Sequence, residues 1–176
     1  SWHRQALVFV RELVLNFVVD VAAARVALVA FSDAAVTLCP LTSNASEMLD
    51  ALELSEAQGT YGHTNISGGL HTGLEALQMS SSRSGPAAMR LLLLLTEGRQ
   101  SAVYGGDAAA VASAGSVKAS GVGLFALGFG DASPQLLGSL ASQPTSRFAH
   151  FNSTLNGLRT ELARGALCDL ATLPMT

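Results

Sequence analysis

Apolar and polar positions alternate along the chain in two periods, and the switch between them sets out the elements. Trp2, Ala6, Phe9, Val10, Leu13 and Phe17 recur at helical spacing and predict an amphipathic helix at the start. Residues 25–31 read RVALVAF, a short apolar run suited to a buried strand, which Ser32 and Asp33 end. Residues 35–41 form a second short run with Pro40 near its end. Proline suits an edge strand, and so short a link implies an antiparallel hairpin. Asn44, with Glu47 three residues on, has the form of a capping box, and Met48, Leu49 and Leu52 supply the inner face of the helix that follows. A glycine-bearing loop over 59–69 leads into a helix ending near Met79, and 80–86 is a polar loop. Residues 89–96, MRLLLLLT, carry the strongest buried-strand signal. Helix 107–120, strand 122–130, helix 133–142, strand 147–151 and helix 153–168 complete the alternation.

Apolar strands alternating with helices predict an α/β fold: a doubly wound, mostly parallel sheet with one antiparallel edge strand and helices on both faces. With 176 residues and no linker or repeat, the chain reads as a single domain over 1–176. In such sheets binding residues sit in loops beyond the carboxyl ends of the strands. Those loops are 32–33, 96–100 and 130–132, with 59–69 able to reach the same end.

Composition narrows the function. Apolar residues make up 49% and charged residues 13%, which suits a packed core rather than a disordered chain. The net charge is −3 and no basic patch stands out, so nucleic acid is a poor partner. The leucine run at 91–95 lies between Arg90 and Glu97 and falls short of the roughly 20 apolar residues of a membrane span. Cys39 and Cys168 define neither a disulfide framework nor a metal spacing, and each alone reads as a buried thiol.

Several motifs carry chemistry. Glu97, in LTEGRQ at 95–100, puts a carboxylate at a strand's carboxyl end beside a glycine, where it can bind a cation or simply face water. Thr64, in GHTNISGGL at 62–70, offers a hydroxyl of the kind hard cations take, in a loop that equally suits a helix cap. His63 and His71 lack the further ligands zinc needs. Gly121, Gly123 and Ala126 match a dinucleotide fingerprint on paper, but they begin a strand instead of following one. No nucleophile elbow, phosphate loop or catalytic triad is found. Asn44, Asn65 and Asn152 lie in N-x-S/T sequons, which reads as glycosylation of a secreted protein or as helix capping. Asn44 and Asn152 are the better glycan candidates, since Asn65 sits in the candidate binding loop.

Four segments together resemble the von Willebrand factor A family: RVALVAFSD (25–33), GHTNISGGLHTGLEAL (62–77), LLLLLTEGRQ (91–100) and ASGVGLFALGFGDAS (119–133). Their order and spacing fit the family across essentially the whole chain. The resemblance implies a metal-ion-dependent adhesion site built from a D-x-S-x-S motif, a loop threonine and a strand-end aspartate. Thr64 matches the threonine, Glu97 occupies the aspartate position, and the D-x-S-x-S is not found. By the same comparison the first, central strand is missing and the domain is truncated at its start. Two buried strands, 25–31 and 89–96, would then lack a neighbour. Extracellular matrix members, such as those of collagens and matrilins, are the most similar. In them a terminal cysteine, here Cys168, pairs with one upstream of the first strand.

The reading that follows is a non-enzymatic adhesion or assembly module of a secreted or extracellular matrix protein. It would bind a protein ligand of the matrix or cell surface through Mg²⁺ or Mn²⁺, with Thr64 and Glu97 on the metal side. Asp33 reads as a turn cap in preference to an outer-shell residue. The alternatives are a structural domain whose metal site has degenerated and, further off, a small α/β hydrolase or nucleotide-binding enzyme.

Overall fold

The computed structural model describes residues 2–16, 25–58, 62–79 and 89–161. They fall into two compact units, 1–81 and 82–176.

In the first unit, α1 (Trp2–Asn16) is followed by β1 (Val26–Phe31), β2 (Ala35–Thr42), α2 (Ala45–Gln58) and α3 (Ile66–Gln78). β1 and β2 form the antiparallel hairpin that the short link predicts, closed by a turn in which Ser32 N–H donates to the Ala34 carbonyl at 2.9 Å. Pro40 is exposed on β2. Val14 of α1, Cys39 of β2, and Met48 and Ala51 of α2 make a buried cluster, with Val10, Val26, Leu28 and Leu38 packed on it. Phe9 and Val10 belong to the helical face expected of α1, but Val14, outside that set, is buried while Ala6 and Leu13 are half-buried; Trp2's side chain and Phe17 lie outside the described residues. At Asn44 the capping box takes another form. Asn44 Oδ1 accepts from Ser46 N–H, while the Glu47 carboxylate accepts from Asn44 Nδ2 and the Thr42 hydroxyl instead of the Asn44 backbone. The Asn44 backbone N–H goes to Thr42 Oγ1, which sits closer. α3 packs on β1 and β2 through Ile66, Gly69 and Leu70.

In the second unit, β3 (Leu91–Thr96), α4 (Gly106–Ala119), β4 (Gly123–Phe129), α5 (Pro134–Leu140), α6 (Thr145–Phe148), β5 (Ala149–Asn152) and α7 (Leu155–Glu161) follow in order, with a 3₁₀ turn at Ala102–Tyr104. The sheet is parallel, in the order β3-β4-β5. β4 lies in the middle, and all but its first residue is buried. α4, α5 and α7 pack on it. Phe125 and Phe148 stack at 4.5 Å between centroids, and Ser142 closes the start of β4 by exchanging hydrogen bonds with Leu124. Lys118 donates to the carbonyls of Ser139 and Ala141, satisfying the open end of α5.

The architecture is the α/β plan expected, with a parallel sheet and one antiparallel hairpin. Three expectations change. Residues 147–148 are helical, not strand: Arg147 and Phe148 N–H groups both donate to the Pro144 carbonyl, so a helical turn precedes β5. Helix 153–168 begins only at Leu155, because Asn152 Oδ1 accepts from Thr154 N–H and makes a turn first; beyond 161 the segment lies outside the described residues. Finally, β1 is half-buried along its whole length and Leu93 of β3 is 38% exposed, although both were expected to be buried. Among the described residues β1 pairs only with β2 and β3 only with β4, so each has one covered edge where β4 has two. Among the described residues no helix is long and apolar enough to cross a membrane.

Candidate functional site

The loops that matter leave the ends of β1, β3 and β4. In the first unit, the turn after β1 is tied to the loop before α3. Asp33 Oδ1 accepts from His63 N–H at 2.9 Å and from the His63 ring Nδ1–H at 3.0 Å. Asn65 N–H donates to the Ser32 carbonyl at 3.0 Å, and Asn65 Nδ2 donates to the Asp33 carbonyl at 3.2 Å. Asn65 also caps α3, its Oδ1 accepting from Gly68 N–H at 2.9 Å. Thr64, half-buried, is therefore held between two residues fixed to the β1 end. Gly62, at φ +117°, packs directly on the Asp33 carboxylate, where a side chain would collide. Asp33 does more than the turn role expected of it, since its carboxylate reaches a loop 30 residues away.

In the second unit, Glu97 follows β3 and its turn is shaped by buried Thr96, whose hydroxyl donates to the Gly98 carbonyl and accepts from Gly98 N–H. Glu97 Oε2 is shielded from solvent and has no hydrogen-bond partner among the described residues. Desolvation by burial, and then the nearby Asp131 charge, push the Glu97 carboxyl above the ordinary carboxylate range. Gly130 ends β4 at φ +59°, and a Cβ there would stand 3.9 Å from Glu97 Cγ. Arg99 is held by Asp107, with Nε and Nη2 both donating to Asp107 Oδ2. Asp131 is the residue the sequence did not single out. The signal was the parallel register, which pairs Thr96 with Gly128 and so brings the two strand exits together.

A partnerless, shielded carboxylate oxygen at a strand end is a donor that a hard cation satisfies. In that respect Glu97 fits Mg²⁺ or Mn²⁺. Thr64 belongs to the first unit and Glu97 to the second. Among the described residues no group of three or more His, Cys, Asp or Glu side chains is arranged for a metal. Of the sequons, Asn44 is exposed and Asn152 half-buried, while the side chain of Asn65 is engaged at both ends. Cys39 is a buried free thiol, and Cys168 lies outside the described residues.

The family model of the von Willebrand factor type A domain matches residues 1–164. The chain belongs to this family. No curated protein matches the chain significantly. Among solved structures it is similar to proximal thread matrix protein 1 from the mussel byssus, with TM-score 0.78 and 23% identity over 96% of this chain and 42% of that one. The same mussel protein has been solved with a zinc-occupied metal-ion-dependent adhesion motif (TM-score 0.76, 23% identity, the same coverage). Manganese-loaded TRAP protein of Plasmodium vivax gives TM-score 0.70 and 17% identity, over 92% of this chain and 65% of that one. The von Willebrand A chain spans about two fifths of the mussel protein. Likeness at these identities carries the fold, and the two neighbours show that domains of this fold bind divalent metals.

Proposed function

We propose that the chain is a non-enzymatic, single-domain adhesion or assembly module of a secreted or extracellular matrix protein. It binds a protein ligand at the carboxyl ends of the strands. Mg²⁺ or Mn²⁺ is the cation this reading expects, Thr64 and Glu97 being its candidate oxygen donors, with a carboxylate of the ligand filling an open position. The observation that carries this is the Glu97 carboxylate, shielded at one oxygen that has no hydrogen-bond partner among the described residues, in a chain of this family. Metal-loaded neighbours of the same fold support it. In the extracellular setting Asn44 and Asn152 carry glycans, and Cys168 pairs with a cysteine upstream.

The test is calorimetric titration of the chain with MnCl₂ and MgCl₂, followed by binding to matrix proteins and cell surfaces with and without EDTA. Saturable metal binding lost in Glu97→Ala and Thr64→Ala, with adhesion lost in EDTA, is expected. Metal-independent adhesion would instead favour the second reading, a structural domain with a degenerate site. That reading draws on the glutamate in place of aspartate and on the lack of a three-residue ligand cluster among the described residues.

A further inference from the structure

A cleft of about 430 Å³ opens in the second unit between the start of α4, α5 and the loop after β3. Ala108, Val111 and Leu136 give it apolar walls, while Arg99, Asp107 and Ser133 bring polar groups to it. Gly105 and Gly106, at φ +85° and +61°, reverse the chain so that α4 starts beside the β3 exit and Asp107 meets Arg99.

The Arg99 guanidinium is the more exposed of the two charges in this cleft. Asp107 Oδ2 is taken by two Arg99 N–H groups, so the carboxylate offsets the guanidinium from one side and leaves its other side accessible. Arg99 is 64% exposed, and among the described residues two of the five N–H donors of its guanidinium are engaged. The Ser133 hydroxyl oxygen accepts from Leu136 N–H, which leaves its hydrogen to donate. The first turn of α4 adds the positive end of a 14-residue helix. Donors over an apolar floor suit a carboxylate carried on methylenes.

We propose that this cleft receives an acidic side chain of the protein partner, its carboxylate on the Arg99 guanidinium and its methylenes against Val111 and Ala108. The inference rests on the reading of the chain as a protein-binding module, and adds a contact that needs no metal. Arg99 then bridges two carboxylates, Asp107 from its own chain and one from the partner, and the contact weakens with salt.

The test uses the peptide acetyl-Gly-Glu-Gly-amide and its glutamine analogue, each titrated into the chain while the Arg99 Nε–Hε resonance is followed by NMR, in EDTA and in MgCl₂. Saturable shifts for the glutamate peptide in both buffers are expected, with affinity reduced about five-fold for the glutamine peptide and for Arg99→Gln, the upper range for one exposed charge pair. Arg99→Lys, which keeps the charge, should retain part of the affinity and guards against a folding defect in Arg99→Gln. Equal affinity for the two peptides, or binding unchanged in both Arg99 variants, would overturn the proposal. Binding seen only in MgCl₂ and lost in Glu97→Ala would also overturn it, while upholding the metal-dependent reading. Persistence of the Arg99 contact in a chain that binds no metal would uphold this inference and reject that reading.

Discussion

Two glycines inside helices should respond to alanine with opposite signs. Replacing a helical glycine by alanine is worth about 0.5–1 kcal/mol in backbone entropy and propensity. Gly115 of α4 is exposed and a Cβ there would meet nothing within 4 Å, so Gly115→Ala should stabilise the chain by about that amount. Gly69 of α3 lies against Phe31 of β1. A Cβ there would stand 2.8 Å from both Cγ and Cδ1 and 3.3 Å from Cβ of the phenylalanine. These atoms are the root of the side chain, which rotation of the ring cannot clear. Overpacking of this kind costs about 1–3 kcal/mol, so Gly69→Ala should be net destabilising by roughly 0–2.5 kcal/mol. The two variants differ by the overpacking cost alone, and at about 2–4 °C per kcal/mol their melting midpoints should separate by several degrees. Circular-dichroism melts and urea titrations measure this directly. Because α3 carries the Thr64 loop onto the end of β1, Gly69→Ala should also speed amide exchange at residues 63–65. A Gly69→Ala midpoint raised as far as that of Gly115→Ala would refute the close approach of α3 to β1.

Other perturbations follow from the same contacts. A carboxyl group whose folded pKa exceeds its unfolded one contributes stability below the unfolded value and loses it as pH rises through the folded value. Glu97 is pushed up, so in EDTA Glu97→Gln should melt above wild type at pH 7, and the two should converge below about pH 4 in a stepped-pH melt series. Asp33→Ala removes the acceptor for both His63 donors; since the contact is exposed, stability should fall by under about 1 kcal/mol, while exchange protection of the His63 amide is lost in mass spectrometry. Asn65→Ala removes the α3 cap and should cost about 1 kcal/mol in urea denaturation.

The elements that sequence reveals are those whose signal is local. The leucines of 91–95 and the run 26–31 announce strands because no helix surface requires every position to be apolar. Asn65 announces a cap because its partner is three residues away. Signals that depend on distant partners are not legible in this way. The helical turn at 145–148 arises from the Pro144 carbonyl, although Arg147 and Phe148 alone suit a strand. Asp33 looked like a turn residue because His63 is 30 positions off. Coupling of Glu97 to Asp131 depends on the pairing of β3 with β4, which neither segment states alone. The candidates Thr64 and Glu97 stand out from their local motifs, and the resemblance only joined them, whereas the groups that fix or perturb them required coordinates.

The pairing of Arg99 bears on why Glu97 Oε2 has no partner among the described residues. Arg99 follows Glu97 by two residues, and a guanidinium turned toward that carboxylate would neutralise it from within the chain. Instead Asp107 engages Arg99 through both Nε and Nη2, a fork geometry that lysine could not match. Among the described residues Glu97 keeps a shielded oxygen without a hydrogen-bond partner, and the nearby Asp131 is a like charge. On the proposed metal-binding reading, two carboxylates at adjacent strand ends favour a cation from solution, and Asp107 would hold Arg99 away from that place. Asp107→Asn should therefore release Arg99 and weaken Mn²⁺ binding, by up to about five-fold if the freed guanidinium reaches Glu97 as an exposed ion pair would. Calorimetry of the variant beside wild type measures the change. An Mn²⁺ affinity unaltered by Asp107→Asn, in a chain where Glu97→Ala abolishes binding, would show that Arg99 never competes for the site and that its pairing serves only the start of α4.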